Sequence, residues 1–552
     1  MNVLIIGTGL TGMMAAAQMK GLLASPNEEN ERDADRIQIE LIGDGMGASP
    51  YVHGFNIPLD ERDSVEIFQE DTMRGGYGLS EPELVRRLCE GSLELLSDLE
   101  RLGVELEKRE GKYVLLKPLG SSWPRVAGSG NHTGVELLSR LSELLKKRRD
   151  VRFTTQSRVL RLDVEDGRLK GAVLWNKQKK RMEYRSASCI LIACGGFCGI
   201  YPFSTNPSDS GGDGIGMAYE AGIPLVDMEF VQFEPSAALY PDGLRGKSVI
   251  TTMFYEGAVL RNGNGCRFMQ KKHPGEYAEC VSKDVLSRAI CEEIRKGNTT
   301  PHGGVWFDAT GVGREKLEKS YGSYVERYRK EGMDISREPF EIAPAPHTSL
   351  GGIAVMPDMS TAVAGIYAAG EAAGGLHGAN RIGGNAGLET LVFGKAAGKS
   401  MLHFLKGKEE GEGTAETTGK EAARILNESQ SRSCKTGEAA MNREALQRIR
   451  KELQEILAKD LYLERNAEGT KKASRRLEEL AGILKETEGA PSYEKLRLEN
   501  DLTCARVLAA AAGTRSGSMG CHVREDDSGE DGLYHVFVQN KDGAMTVRKE
   551  KI

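Results

Sequence analysis

The sequence lacks several features that define common protein classes. No part of its 552 residues forms an apolar run of the roughly 20 residues that a membrane-spanning helix requires. Its 10 cysteines include no C-x-x-C pair, which argues against a zinc ribbon or a four-cysteine iron–sulfur cluster on this chain, and we expect no metal site. Lys and Arg (74) are outnumbered by Asp and Glu (80), giving a net charge of -6. Nothing therefore favours a nucleic acid or an anionic membrane as a partner, and we expect a cytoplasmic protein with reduced thiols.

Glycine, in contrast, is abundant, and its clusters indicate where function lies. The chain has 67 glycines, about 12% of its residues against a usual ~7%. The first cluster, Gly7-x-Gly9-x-x-Gly12, separates a β-branched run at 1–6 from a helix-forming segment at 13–20. In such a unit the first glycine forms a tight turn, the second admits a pyrophosphate, and the third packs the helix on the strand. The N-terminus therefore predicts a dinucleotide site, with the phosphates at the helix N-terminus.

An acidic residue near the second strand is expected to bind the ribose of the dinucleotide. The second predicted strand covers 36–42, with Glu40 inside it and Asp44 just beyond it. We prefer Asp44, because the expected acid follows the strand. The motif alone does not distinguish NAD from FAD.

Composition divides the chain into segments of different texture. Two glycine-rich segments of strand-and-helix character flank a stretch without a dinucleotide signature, and this stretch suits an inserted domain. Further on, a polar, glycine-rich stretch is typical of a linker, and the charged residues after it have helical spacing. In chain order, we predict a nucleotide-binding domain at 1–240, an insertion at 241–345, the second part of the nucleotide-binding domain at 346–405, a linker at 406–419, a small helical bundle at 420–512, and a C-terminal segment at 513–552.

A series of motifs matches one protein family in order. They are Asp71-Thr72, Gly75-Gly76, Gly195-Gly-Phe-Cys-Gly-Ile-Tyr201, Thr205-Asn-Pro207, Gly212-Asp-Gly214, Asp227-Met-Glu-Phe-Val-Gln-Phe233, Pro346-His-Thr-Ser-Leu-Gly-Gly352, Gly365-Ile-Tyr-Ala-Ala-Gly-Glu371, His377-Gly-Ala-Asn-Arg-Ile-Gly-Gly-Asn385 and Gly520-Cys-His-Val-Arg-Glu-Asp526. The sequence resembles the flavoprotein subunit of fumarate reductase and succinate dehydrogenase, and it resembles L-aspartate oxidase. The resemblance covers nearly the whole chain.

The resemblance implies an α/β protein: a Rossmann-like FAD-binding domain with an inserted α+β capping domain, followed by a C-terminal helical bundle and a short tail. FAD is long, so glycines distant in the sequence must converge on it, whereas an NAD dehydrogenase would not need the later clusters. The residues expected at FAD are Gly7, Gly9, Leu10, Thr11, Gly12, Asp44, Ser49, Gly195, Gly196, Asp213, Gly352, Gly370, Glu371, Arg381, Gly384 and Asn385.

The position that carries covalent FAD in some relatives differs here. In those relatives a histidine follows a serine, but here Ser49 is followed by Pro50, and His53 lies three residues further on. We therefore expect noncovalent FAD.

Two substrate-binding positions of the family are retained. Family enzymes move a hydride between flavin N5 and one carbon of a dicarboxylate C–C bond, while a side chain moves a proton at the other carbon. His347 and Arg381 match the family's substrate histidine and arginine, and an arginine fork suits a carboxylate. A buried structural histidine and a structural salt bridge are the alternatives for these two residues.

Other positions at the substrate depart from the family pattern. Glu234 replaces a histidine, and an ionised carboxylate there would repel a dicarboxylate. Lys283 replaces the proton-donating arginine; it is either the new acid or a surface lysine beside a helix-capping Asp284. Thr251 and Phe254 stand where the family has the Glu and Arg of a proton relay, and Phe254 suggests an apolar part of the substrate.

These departures lie at the substrate and not at the cofactor. We therefore predict hydride transfer between flavin N5 and the C–C bond of an enoate-type carboxylate other than fumarate, with Glu234, Lys283, His347 and Arg381 as catalytic residues. One alternative is a conventional fumarate reductase, succinate dehydrogenase flavoprotein or L-aspartate oxidase. Another is a flavin electron-transfer protein without its own substrate. We expect a small-molecule carboxylate and a separate redox protein, iron–sulfur or another electron carrier, as partners, with membrane association only through such a partner.

Overall fold

The computed structural model describes residues 1–23, 36–207, 209–407, 418–431, 436–487, 491–527, 529 and 532–552. The predicted linker at 406–419 lies for the most part outside these residues. Of the helices in the described ranges, none combines the length and apolar character needed to cross a membrane.

The strands are β1 Asn2–Ile6, β2 Gln38–Gly43, β3 Phe55–Asn56, β4 Lys108–Arg109, β5 Lys112–Tyr113, β6 Val126–Ala127, β7 Val151–Thr155, β8 Ser157–Glu165, β9 Arg168–Asn176, β10 Arg181–Ser186, β11 Cys189–Ile192, β12 Leu225–Val226, β13 Val231–Tyr240, β14 Val259–Arg261, β15 Val305–Asp308, β16 Phe340–Ser349, β17 Gly352–Ile353, β18 Ile366–Ala368, β19 Glu464–Arg465, β20 Val523–Arg524, β21 Tyr534–Lys541 and β22 Ala544–Lys551.

The α-helices are α1 Leu10–Met19, α2 Val65–Gly75, α3 Pro82–Leu102, α4 Thr133–Lys146, α5 Asp213–Glu220, α6 Met269–Lys272, α7 Lys283–Arg295, α8 Arg314–Lys330, α9 Asn385–Lys406, α10 Lys420–Ser431, α11 Thr436–Asp460, α12 Ala467–Glu486 and α13 Tyr493–Thr514.

A five-stranded parallel sheet, in the order β18-β11-β1-β2-β7, forms the centre of the nucleotide-binding part. Its central strand β1 is buried from Val3 to Ile6, as expected for a strand covered on both faces. The short turn after β1 leads directly into α1, whose small residues Ala15, Ala16 and Ala17 are fully buried. The glycine-rich turn therefore lies at the carboxyl end of the sheet, where α/β proteins bind ligands.

An antiparallel sheet, in the order β13-β16-β15-β14, belongs to the inserted segment. Its two long strands, β13 and β16, pair from Val231↔Ser349 to Tyr240↔Glu341 and so connect the insertion to the nucleotide-binding part. The insertion has an apolar cluster of its own that extends from Ala238 to Ile342. The predicted boundary at 345 thus falls inside β16.

The C-terminal helices pack differently from a separate bundle. Helices α11, α12 and α13 share one continuous apolar core with the nucleotide-binding part, in which Leu453, Leu477 and Leu508 join Ile190. Helix α10 instead packs through Ile425 on the antiparallel sheet of β8, β9 and β10. The tail also joins the main body, because β21 pairs with β12. The hydrophobic spacing predicted the helices, but the spacing alone could not show which surface each apolar stripe covers.

Candidate active site

The centre of the site is an ion pair between the two residues that depart most from the family. Lys283, the first residue of α7, places its Nζ 2.5 Å from Oε2 of Glu234 on β13. Both side chains are mostly buried, with exposed fractions of 15% for Lys283 and 3% for Glu234. The alternative of a surface lysine at 283 is therefore wrong.

A bulge in β13 aims Glu234 into this position. The pairing of β13 with β16 shifts register between Glu234 and Ala237, and Pro235, which cannot donate to the ladder, lies inside the irregular stretch. Oε1 of Glu234 lies 3.0 Å from the Ser236 hydroxyl. Burial raises the pKa of the Glu234 carboxyl, but the Lys283 charge and the other neighbouring groups, including the hydrogen bonds from Lys283 and Ser236, together outweigh this, so its pKa lies below the ordinary value. Glu234 is accordingly ionised at neutral pH.

His347 lies on β16 beside this pair. Its Nε2 is 3.9 Å from Oε2 of Glu234, and its side chain keeps an exposed fraction of 27%. On the other side of the ring, Nδ1 hydrogen-bonds to the Thr205 hydroxyl at 2.7 Å, and Asn206 donates to the His347 carbonyl at 2.5 Å. Burial and the Lys283 charge lower the pKa of His347 to about 3. The imidazole is therefore neutral, with one nitrogen fixed and the other accessible to a ligand.

Arg381 supplies a buried cation without a carboxylate partner. It is 7% exposed, and its guanidinium contacts the Thr348 hydroxyl at 3.3 Å. Among the described residues it forms no ion pair, and its buried Nε has no hydrogen-bond partner. Burial lowers the pKa of Arg381, but an arginine stays charged. The alternative of a structural salt bridge finds no partner in the part of the chain that the structure describes, and the free donors can receive an anionic ligand.

The first glycine cluster forms a tight turn against neighbouring loops. Gly7 has φ +126°, and a Cβ there would overlap the carbonyl of Ala193 at the end of β11. A Cβ on Gly9 would lie 2.7 Å from the Ser49 hydroxyl, which accepts a hydrogen bond from the Leu10 N–H at 3.0 Å. The residues predicted from the G-x-G-x-x-G motif and Ser49 are thus brought together.

Later glycines reach the same region. Gly370, at φ +65°, lies against the Thr11 side chain near the start of α1. A Cβ on Gly196 would overlap the side chains of Glu371 and Ser349, whereas at Gly195 it would point into open space. Glycines that are distant in the sequence therefore lie close together at the start of α1, as a long dinucleotide requires.

Glu371 is a half-buried carboxyl that lies against Gly196. Its Oε1 accepts the Ser349 N–H at 3.0 Å and lies 3.2 Å from the Ser349 hydroxyl. Burial raises the pKa of Glu371 to about 7. It follows that Glu371 exchanges a proton near neutral pH.

The two candidates for the ribose acid lie in different surroundings. Asp44 directly follows β2 and pairs with Lys177, and with Arg158 at 3.7 Å. Glu40 lies within β2 and pairs with Arg185 at 3.1 Å. Asp44 therefore remains our candidate. Asp213 pairs with the same Arg158 at 2.7 Å, so a contact of Asp213 with FAD stays a prediction.

The segment at 383–385 is held by a residue that sequence reasoning missed. Asn56 is fully buried and donates to the Gly383 carbonyl at 2.8 Å and to Oδ1 of Asn385 at 2.6 Å. Gly384 has φ +89°, and a Cβ there would lie 2.6 Å from Asn56 Oδ1. Gly352 packs against the backbone of Ala372. Asn56 lies in no glycine motif, so no local pattern indicated it.

The position of Phe254 contradicts one expectation. It is 2% exposed and packs against Phe307, with the ring centroids 5.0 Å apart and the rings tilted, inside the apolar core of the insertion. Phe254 therefore does not indicate an apolar part of the substrate.

Comparison with known proteins gives the family. Residues 51–386 match the FAD binding domain family, and residues 450–552 match the family described as fumarate reductase flavoprotein C-term. The chain belongs to the FAD-dependent oxidoreductases of the fumarate reductase and L-aspartate oxidase family. The predicted family, fold class and cofactor are thereby confirmed, and the cofactor is FAD.

Three relatives illustrate the range of the family. One subunit of the fumarate reductase (CoM/CoB) of Methanothermobacter marburgensis is 34% identical over 536 residues, which are 95% of this chain and 94% of that protein. L-aspartate oxidase of Vibrio cholerae is 29% identical over 73% of this chain and 75% of its own. The solved FrdA flavoprotein of E. coli quinol fumarate reductase superposes with a TM-score of 0.85 at 26% identity, covering 100% of this chain and 96% of the other.

Proposed function

We propose that this protein transfers a hydride between FAD and the C–C bond of an enoate-type substrate that carries one carboxylate at the reactive end and is not fumarate. The observation that carries the proposal is the 2.5 Å ion pair of Lys283 with Glu234. The charge of Lys283 is balanced by Glu234. Arg381, in contrast, forms no ion pair among the described residues, and its buried Nε has no hydrogen-bond partner.

Charge balance is the reason to set fumarate aside. A C4 dicarboxylate needs a favourable partner at both ends. Arg381 offers one such partner, but the other end would meet the ionised carboxylate of Glu234, since the pKa of that group is held low by Lys283. His347 adds no positive charge, because burial keeps its ring neutral. A second carboxylate would therefore be repelled, whereas a neutral substituent would not be.

The residues then have distinct roles. The guanidinium of Arg381 binds the substrate carboxylate, which supplies the hydrogen-bond acceptor that the buried Nε lacks. The accessible nitrogen of His347 orients the substrate, and Thr205 holds the ring. Lys283 Nζ moves the proton at the substrate carbon that does not exchange a hydride, and Glu234 keeps the ammonium in place.

The glycine cradle and its neighbours support noncovalent FAD. The open space beside Gly195 and the donors at the start of α1 fit a long cofactor with a pyrophosphate. Asp44, Ser49, Glu371 and Asn385 would hold the cofactor together with the glycines. When bound, FAD supplies the hydride acceptor or donor that no side chain provides.

A second candidate function is fumarate reduction itself. It is favoured by the similarity, over 95% of this chain, to the fumarate reductase (CoM/CoB) protein of Methanothermobacter marburgensis. Because that relative is one subunit of its enzyme, the similarity also supports a separate protein as electron carrier for this chain, iron–sulfur or of another kind.

The test follows the bound flavin. The purified holoprotein is reduced anaerobically and mixed in turn with fumarate, crotonate, arylacrylates and iminoaspartate, while the visible absorbance reports reoxidation. Faster reoxidation by a monocarboxylate enoate supports the proposal. Faster reoxidation by fumarate or iminoaspartate overturns it in favour of the conventional activities, and no reoxidation by any of them favours an electron-transfer protein.

A further inference from the structure

Tyr77 occupies an unusual backbone position between the two parts of the site. It follows α2 with φ +61°, a left-handed conformation that is rare for a bulky side chain and that persists only where surroundings enforce it. Backbone hydrogen bonds fix it, since its N–H donates to the Arg74 carbonyl at 3.1 Å and the Gly78 N–H donates to Met73 at 3.0 Å. The turn therefore fixes the direction in which the tyrosine side chain leaves the backbone.

The same turn is attached to the segment that carries Arg381. The Ala379 N–H donates to the Gly76 carbonyl at 3.1 Å, and the Asn380 side chain donates to the Gly75 carbonyl at 3.3 Å. A Cβ on Gly378 would overlap the Gly76 carbonyl, so the two backbones are in close contact. The position of Tyr77 is thus fixed relative to Arg381.

The other end of Tyr77 reaches the insertion. Its hydroxyl donates to Oδ2 of Asp284 at 2.5 Å. Asp284 is 4% exposed and follows Lys283 in the first turn of α7. Its second oxygen is buried without a hydrogen-bond partner in the described part of the chain. Loss of the tyrosine hydroxyl would leave this carboxylate poorly satisfied, which is costly in a buried place.

We propose that Tyr77 is a positioning residue, which sets the distance between the carboxylate anchor and the proton-transferring lysine by linking the Arg381 segment to the start of α7. The inference rests on the proposed roles of Arg381 and Lys283. The path runs from Arg381 through Asn380 and the turn to Tyr77, and from Asp284 to Lys283. Without the link, the start of α7 keeps the ion pair with Glu234 but loses its connection to the Arg381 segment, so we expect the insertion to open more readily.

The test compares two tyrosines that each donate to an aspartate. Tyr77→Phe removes the link, while Tyr184→Phe removes a matched hydrogen bond to Asp163 at 2.7 Å in the sheet of β8, β9 and β10. A displacement of about 1 Å in a reacting group costs on the order of 100-fold in rate. We therefore expect Tyr77→Phe to lower the saturating rate of substrate-dependent flavin reoxidation by roughly 10- to 100-fold, with less than about threefold change in KM. Tyr184→Phe should change neither.

A second readout needs no substrate and so separates this inference from the proposed function. Iodide quenching of flavin fluorescence in the oxidised holoprotein should increase in Tyr77→Phe and stay at the wild-type value in Tyr184→Phe. Asp284→Asn, which keeps an acceptor for the hydroxyl, should retain the wild-type value. The inference would be overturned if Tyr77→Phe and Tyr184→Phe showed the same quenching and the same rate. It would also be overturned if quenching in Asp284→Asn increased as much as in Tyr77→Phe. Thermal unfolding of each holoprotein identifies a variant that simply fails to fold.

Discussion

Replacing Lys283 by methionine tests the ion pair at the centre of the account. The substitution keeps the length and most of the volume of the side chain but removes its charge and its proton. Glu234, with an exposed fraction of 3%, would then be a buried carboxylate without its counter-charge. Breaking a buried pair in this way costs about 3–5 kcal/mol in the free energy of unfolding, and removing a general acid lowers a rate by about 10²- to 10⁴-fold.

The assay separates these two effects. Lys283→Met should lower both the unfolding free energy and the substrate-dependent rate of flavin reoxidation. In Lys283→Met combined with Glu234→Gln, stability should largely recover because no charge stays buried, while the rate stays low. Lys296→Met removes an exposed lysine from the C-terminal end of the same helix, where its Nζ pairs with Glu292 at 2.6 Å, and should cost less than about 1 kcal/mol. A Lys283→Met variant with a rate within threefold of wild type would refute the role of this lysine.

Three further predictions concern the cofactor and its surroundings. Gly195→Ala should weaken FAD binding at least about tenfold, measured by fluorescence titration. The control is Gly313→Ala, because Gly313 has a similar φ (+84° against +80°) and also faces open space; it should only cost about 1 kcal/mol of stability. Equal FAD affinity in the two variants would count against a contact of FAD with Gly195. The pKa of Glu371 is raised from 4.5 to about 7, so between pH 4.5 and 7 the folded state holds a proton that the unfolded state releases. The unfolding free energy of the wild type relative to Glu371→Gln should therefore fall by about 3 kcal/mol as pH rises through this window. A difference in urea unfolding that stays constant across this range would contradict the assignment. Acid precipitation should release all FAD into the supernatant, and a yellow pellet would show a covalent bond.

The fold class and the cofactor could be predicted from the sequence because the motifs that indicate them are local. The turn at Gly7, Gly9 and Gly12 follows from a short spacing and a strand-to-helix change, and the later motifs occur in family order. Gly7 and Gly12 are required where backbones come close, so the identity of these residues carries the information.

The substrate site could be predicted only in part, because its decisive contacts join distant residues. The identities of Glu234 and Lys283 indicated a changed pocket, but the two residues are 49 positions apart, so no local pattern could show their ion pair. The hydrogen bond of Tyr77 spans 207 positions and depends on how the insertion packs. Phe254 shows the opposite case, since its alignment to a relay position suggested a pocket residue, whereas its hydrophobicity placed it in a core.

The most direct test of the central claim is the ratio of two rate constants. The second-order rate constants for reoxidation of the reduced flavin by crotonate and by fumarate are measured anaerobically in the wild type and in a variant with Glu234→His and Lys283→Arg, which restores the family residues. The account predicts a ratio above one in the wild type and a shift toward fumarate of about tenfold or more in the variant, since one relieved charge repulsion is worth about 1.4 kcal/mol or more. A wild type that prefers fumarate, or a variant with an unchanged ratio, would contradict it.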